Sequence, residues 1–398
     1  MDLEHNPSII DFKNILIIGN RIKENSCVIC RRAFLDKIKP SKEHLFPESI
    51  GGTIIASGIY CIECNSTLGM SIDKDLFENF QFPATVLNVF RSNSNPLPNF
   101  KVKLRNSKDQ KKIAVIKPGG LIHWDKWIEE EISKEKRKIK IWGNTKQEIL
   151  NKARKVEKSL RARKKPFHKG AIQEVDRSII LTESLVDFDL SFSSGNLNVL
   201  LSILKMAYTY CLKENVPFEF INHIPALLKK EEKRLGIVIP YPYPPLATEN
   251  ISKLNIYHSI LLAGIPEQKV LFAVVELFSC FNFHVFLSSR YEGPDFATFI
   301  SQNCITGEPK SEPRPVLNYE SFVSPRSLSE HQLKEEFEKQ VNPFRLLIDQ
   351  IIWSHLLGKK LDFDFGPLKR GEYINDSRLQ EILVQRRHPY PTLEILNH

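Results

Sequence analysis

The chain has 398 residues and a mass of 46.0 kDa, with 42% hydrophobic and 26% charged side chains. That size and balance fit two or three folded domains and exclude a low-complexity or disordered polymer. No apolar run reaches the length of a membrane span, and Met1-Asp2-Leu3-Glu4-His5 is not the basic-then-apolar start of a signal peptide, so a reducing cytoplasm is the expected compartment.

In chain order, Ile15-Leu16-Ile17-Ile18 is the first apolar piece, expected as a short strand or helix packed beside the neighbouring cysteine-bearing segment. Two Cys-x-x-Cys pairs, Cys27/Cys30 and Cys61/Cys64, then bracket the segment Glu43-His44-Leu45-Phe46-Pro47-Glu48-Ser49-Ile50-Gly51-Gly52. Each pair offers two thiolates to one ion, and together they complete a tetrahedral four-cysteine zinc site. The thirty residues between Cys30 and Cys61 suffice for a β-hairpin held at its base by metal. A unit that small draws much of its folding free energy from the zinc. A disulfide is the alternative, disfavoured in a reducing compartment. Apolar residues at 72, 76, 77 and 80 predict a helix over Ser71 to Phe80, packed on the finger.

The run from Asn93 to Asn99 predicts a loop and the first domain boundary. Alternation in Lys101-Val102-Lys103-Leu104-Arg105 and in Lys138-Ile139-Lys140-Ile141-Trp142 predicts strands with one basic face, with Pro118-Gly119-Gly120 as a turn. Lys146–Lys165 reads as a helix with a narrow apolar stripe (Ile149, Leu150, Ala153, Val156, Leu160). The net charge of +9 is concentrated here: residues 101–170 hold twenty-three basic and eight acidic side chains, against ten and eleven before them and twenty-three and twenty-eight after. Such a block reads as a phosphate-contacting surface, with a solvated helix as the bland alternative.

Beyond Pro166, Asn196–Asn215 predicts a strong amphipathic helix and Pro217–Leu235 a shorter helical region. The proline-rich Ile239–Pro245 predicts an extended connector. Val270–Phe278 and Asn282–Ser288 predict paired strands, with Ile260–Leu262 as a third, and Glu330–Leu357 a long helix interrupted at Pro343. Cys211, Cys280 and Cys304 read as small core residues. His258, His284 and His355 read as core or boundary histidines. No phosphate-cradling glycine loop is present in the sequence.

Around the cysteines the sequence resembles the HNH endonuclease family. The resemblance rests on Cys27-x-x-Cys30, Glu43-His44-x-x-Pro47-Glu48, Gly51-Gly52, Cys61-x-x-Cys64-Asn65 and Leu68-Gly69, and spans about residues 25–80. It implies a ββα-metal finger stapled by structural Zn2+. It further implies that His44 activates water while Glu43 and Asn65 hold a catalytic Mg2+ or Mn2+. The chemistry suits those residue types. An imidazole titrates near neutrality, and a hard cation prefers oxygen ligands. On a strand Glu43 and His44 point to opposite sides, so a twisted or bulged hairpin end is expected to bring the carboxylate to the cation. The family's asparagine before the second Cys pair is missing from Thr53–Tyr60, leaving Thr53, Ser57 or a backbone carbonyl to orient the base.

The expectation is therefore an α+β protein in three parts. Residues 1–92 form the nuclease domain. Residues 93–170 form a basic segment whose Lys152, Arg154, Lys155, Lys158, Arg161, Arg163, Lys164 and Lys165 contact nucleic-acid backbone. Residues 171–398 form a regulatory or assembly domain. The expected activity is hydrolysis of DNA with low sequence specificity, RNA not being excluded, in a role such as bacterial defence against phage. A second copy or a regulatory protein is a further partner class, and no membrane is expected. The rivals are a zinc-finger nucleic-acid-binding protein without catalysis and a ligand-gated nuclease effector.

Overall fold

The computed structural model describes residues 25–35, 37–92, 96–103, 113–124, 128–132, 137–142, 146–162, 172–175, 196–232, 237–243, 246, 255–310, 329–358 and 390–397. The Ile15–Ile18 piece lies outside them. The fold is α+β and divides into two compact units. One comprises Met1–Ala84, Val89–Asn95 and Ser191–Arg345, the other Thr85–Asn88, Pro96–Leu190 and Leu346–His398.

The first unit begins with the finger, a hairpin of β1 (Pro40–His44) and β2 (Ile55–Cys61) followed by α1 (Ile62–Leu68). A π-helical turn over Gly69–Asp73 leads into α2 (Lys74–Leu87). The helix expected over Ser71 to Phe80 is α2, joined through the π-helical turn to α1, which Cys61 caps: its Sγ accepts the Cys64 N–H. The antiparallel register pairs Lys42 with Ser57 but Pro40 with Cys61, so β2 carries extra residues at a bulge. Gly58 lies there at φ +76°, a conformation that a residue with a Cβ adopts only with strain. The Gly51-Gly52 pair has a different reason. A Cβ on Gly52 would fall 1.7 Å from the Phe46 carbonyl oxygen, and one on Gly51 would fall 2.7 Å from that of Cys304.

In the second unit, β3 (Phe100–Lys103), β4 (Ile113–Lys117) and β5 (Leu121–Trp124) form a three-stranded antiparallel meander. A second sheet holds β6 (Ile128–Ile132), β7 (Arg137–Trp142) and β8 (Ile172–Val175) together with a strand from the far C-terminus. The sequence pattern missed β6, whose core is three consecutive glutamates. Its register explains it: Glu129 lies opposite Lys140 and Glu131 opposite Lys138. Opposite charges at paired positions stabilise a strand of otherwise poor propensity. Helix α3 (Lys146–Ala162) buries Ala153 and Val156, two of its apolar stripe.

The chain then returns to the first unit with α4 (Leu197–Lys213) and α5 (Ile224–Leu228). Its sheet runs β14-β13-β10-β11-β12-β9. The strands are β9 (Val238–Pro240), β10 (Tyr257–Ile265), β11 (Val270–Leu277), β12 (Phe281–Ser288), β13 (Phe296–Asn303) and β14 (Pro309–Lys310). The connector expected at Ile239 thus begins as an edge strand, the place in a sheet where proline is tolerated. Strands β10 and β11 are buried on both faces. One face carries α4, and the other buries Leu261, Ala263, Phe272 and Val274 beneath Tyr241, Tyr243 and Leu246. Helix α6 (Glu330–Gly358) runs through Pro343 instead of breaking there. The next residue, Phe344, packs on Phe278 and Phe281, which favours continuity. The last strand, β15 (Tyr390–Asn397), lies between β7 and β8.

Candidate active site

The four cysteines meet. Their sulfurs all lie within 4.8 Å of one another, with Cys30 and Cys61 3.9 Å apart. Sulfurs at the corners of a tetrahedron around zinc, about 2.3 Å from the ion, are about 3.8 Å apart, so the donor set fits the metal. The first pair sits in a tight turn where Arg31 N donates to Cys27 O at 2.8 Å and Cys27 N to Arg32 O at 2.9 Å. The second pair straddles the start of α1. Burial pushes the Cys27 and Cys64 thiols up. Burial acts the same way on Cys30, but the Arg32 guanidinium, donating to its sulfur at 3.3 Å, outweighs it and holds this thiol down at about 6. Arg32 is oriented in turn by Glu63. A donor held close to a ligand sulfur is the usual outer support of a metal site.

Alternation along β1 buries Ser41 and Glu43 and turns Lys42 and His44 outward. Glu43 therefore faces into the unit, 8% exposed. Its carboxylate accepts a hydrogen bond from the Asn65 side chain and pairs with Lys205 of α4, Oε1 to Nζ at 2.6 Å. The same ammonium reaches Asp73 Oδ2 at 2.5 Å, and Ser202 donates to Asp73 Oδ1 at 2.6 Å. Lys205 is 3% exposed at its side chain. Burial works against its charge, but Asp73 and Glu43 together more than offset this and raise its pKa above the usual lysine value. The carbonyl oxygen of the Asn65 side chain is buried and has no hydrogen-bond partner among the described residues.

Of the three residues expected around the catalytic cation, Glu43 and Asn65 come together and His44 stands on the other side of the strand. His44 is half-buried, paired across the hairpin with Ile55, and no side-chain hydrogen bond engages it among the described residues. The hairpin bulge lies at the Pro40 end of β1, away from His44. Of the two candidate bracing side chains, Thr53 donates its hydroxyl to Gly307 O at 2.7 Å and Ser57 is exposed opposite Lys42.

The sheet clamps the loop between the hairpin strands. Gln302 of β13 donates to Gly51 O at 2.6 Å and accepts from Thr53 N at 2.9 Å and Ile54 N at 3.2 Å. His258 of β10 bonds Ile50 O through Nε2 and accepts Phe278 N at Nδ1. Desolvation holds its pKa down at about 4, so the ring is neutral. It is a core histidine, as its sequence context predicts, and His284 is likewise fully buried. The side chain of His355 is outside the described residues. Sequence reading missed Asp73, Lys205 and Gln302. The available signal was Lys205, a lone lysine within the apolar run of α4.

On the second unit's α3, Arg154, Lys155 and Lys158 are exposed and Lys152 is half-buried. Arg161 lies in the helix, its side chain outside the described residues, as are Arg163, Lys164 and Lys165.

These features define a ββα finger whose four-cysteine cluster fits zinc and whose buried Glu43 meets the partly buried Asp73 at Lys205. Residues 27–81 match the HNH endonuclease family, which supports nuclease activity in general and implies a nucleic-acid substrate. No curated protein and no solved structure matches the chain. Among the described residues no helix is long and apolar enough to cross a membrane.

Proposed function

We propose that the chain is a metal-dependent endonuclease that hydrolyses DNA with low sequence specificity. The observation that carries this reading is the pairing of Glu43 with Asn65, with His44 on the outward side of the same strand, on a hairpin fixed by the four cysteines and the Gln302 clamp. In it, His44 takes the proton from the attacking water, with its half-exposed ring free to meet solvent and substrate. Glu43 and Asn65 offer carboxylate and amide oxygens to Mg2+ or Mn2+. When bound, that cation would neutralise phosphate charge and stabilise the leaving oxygen. Zinc is structural, since four sulfurs leave no open position.

The exposed Arg154, Lys155 and Lys158 supply backbone contacts that bring affinity without sequence preference. A reducing cytoplasm suits thiols that must stay reduced to hold zinc. A nuclease of low specificity there is a hazard to its host. That argues for restraint by the C-terminal region and for a role such as bacterial defence against phage. The rival favoured by a specific observation is a nucleic-acid-binding finger without catalysis, because Lys205 already occupies the Glu43 carboxylate.

Plasmid incubated with Mg2+ or Mn2+ at low salt decides between them. Wild type is expected to nick or cut it, and His44→Ala to lose about 10²–10⁴ in rate with zinc content unchanged. No cleavage by either protein selects the rival, and full activity of the variant removes His44 as the base.

A further inference from the structure

Helix α4 lies outside the matched segment, yet it supplies a row of polar groups to the finger. Asn198 donates to Asp75 Oδ2 at 2.6 Å and Ser202 to Asp73. Lys205 reaches Asp73 and Glu43, and Thr209 bonds the Tyr60 hydroxyl at 2.8 Å. The spacing of four, three and four residues places all of them on one face of the helix. Around Lys205 the helix is buried: Leu201, Ile203, Leu204, Met206, Ala207 and Tyr208 are each 7% exposed or less. A lysine in that setting is tolerated because two carboxylates meet it.

We propose that the Lys205 ammonium is the resident cation of the Glu43–Asp73 carboxylate pair, and that a divalent cation must displace it to load the site, so that α4 restrains the nuclease. This rests on the reading of Glu43 as a metal ligand, and it adds Asp73 to the ligand set. The fit is chemical. Two carboxylates and the unpartnered Asn65 side-chain carbonyl are hard oxygen donors, the kind that Mg2+ and Mn2+ take. A monovalent ammonium bonded to both carboxylates uses one oxygen of each, cancels half of their combined charge and sets its own positive charge a few ångströms from any second cation. Ammonium and metal therefore compete for the same pair.

The test uses the full, zinc-loaded chain in chelator-free buffer, with Mn2+ binding followed by the loss of the free-ion electron paramagnetic resonance signal. Lys205→Met keeps the length of the side chain and removes the charge. It should bind Mn2+ about tenfold tighter than wild type or better, which is about 1.4 kcal/mol. Adding Asp73→Asn should take the gain away. Lys205→Gln, which retains donors for both carboxylates, should also gain affinity and covers the case in which the methionine variant fails to fold. Equal or weaker Mn2+ binding by a folded Lys205 variant overturns the competition and leaves Lys205 a scaffold ion pair. If neither wild type nor variant binds Mn2+ at millimolar concentration, the competition falls together with the metal-ligand reading of Glu43. Cleavage by wild type that depends on Mg2+ or Mn2+, with unchanged Mn2+ affinity in Lys205→Met, refutes the competition alone.

Discussion

The two ends of the finger solve the same problem, how to keep a concentration of negative charge inside a folded unit, in opposite ways. At the cysteine end the ligands come from two turns of one short segment, and a metal ion completes the site. At the Glu43 end the compensating charge is a lysine 132 residues from Asp73 along the chain. Cysteine sulfurs about 4 Å apart cannot be neutralised by any side chain as compact as zinc. A pair of carboxylates can be, and the ammonium does it with hydrogen bonds as well as charge. The first corner is therefore expected to depend on metal for its fold, and the second on tertiary docking.

The largest effect should come from the first corner. Cys27→Ser or Cys64→Ser is expected to release zinc and melt the finger. Structural zinc sites of this kind contribute about 10–16 kcal/mol of apparent binding free energy. Elemental analysis and proteolysis of the segment around Pro40–Cys61 report it, and one zinc per chain retained in both variants would break the ligand set.

The second corner should respond less but through the whole unit. Lys205→Ala leaves the buried Glu43 and the partly buried Asp73 without their cation and should lower stability by about 3–5 kcal/mol in denaturant titration, with zinc retained. A loss under about 1 kcal/mol would mean that the pair is already solvated. The clamp that holds the hairpin loop is smaller still. Gln302→Leu strands two backbone donors and one carbonyl, and about 1–3 kcal/mol is expected. If its cost matched that of an exposed substitution, the loop would be held by packing alone.

The smallest expected effect concerns the other unit and separates affinity from catalysis. Reversing charge at Lys155, Lys158, Arg161 and Arg163 should weaken DNA binding about equally across sequences. It should also flatten the slope of log affinity against log salt by about 0.9 per lost phosphate contact. An unchanged slope would mark α3 as a solvated face and place the phosphate contacts elsewhere.

The amino-acid sequence by itself determined the zinc corner, the hairpin and the core roles of His258, Cys211, Cys280 and Cys304, because each depends on residues close in the chain or on simple periodicity. It also placed α3, α4 and the strands at Val270 and Phe281 to within a few residues. It missed β6 and β13, whose stability lies in their partners: Glu129 and Glu131 facing lysines in one case, and pairing along the full length of β10 in the other. Only tertiary structure decided which side of β1 Glu43 serves, because that depends on what lies beneath the hairpin. It seated Lys205 on Glu43 and Asp73 and bolted the Gly51-Gly52 loop to Gln302, joining residues about 130 to 250 positions apart. Such contacts leave no periodic trace in sequence. They arise when buried charges and backbone groups must find partners wherever folding brings them.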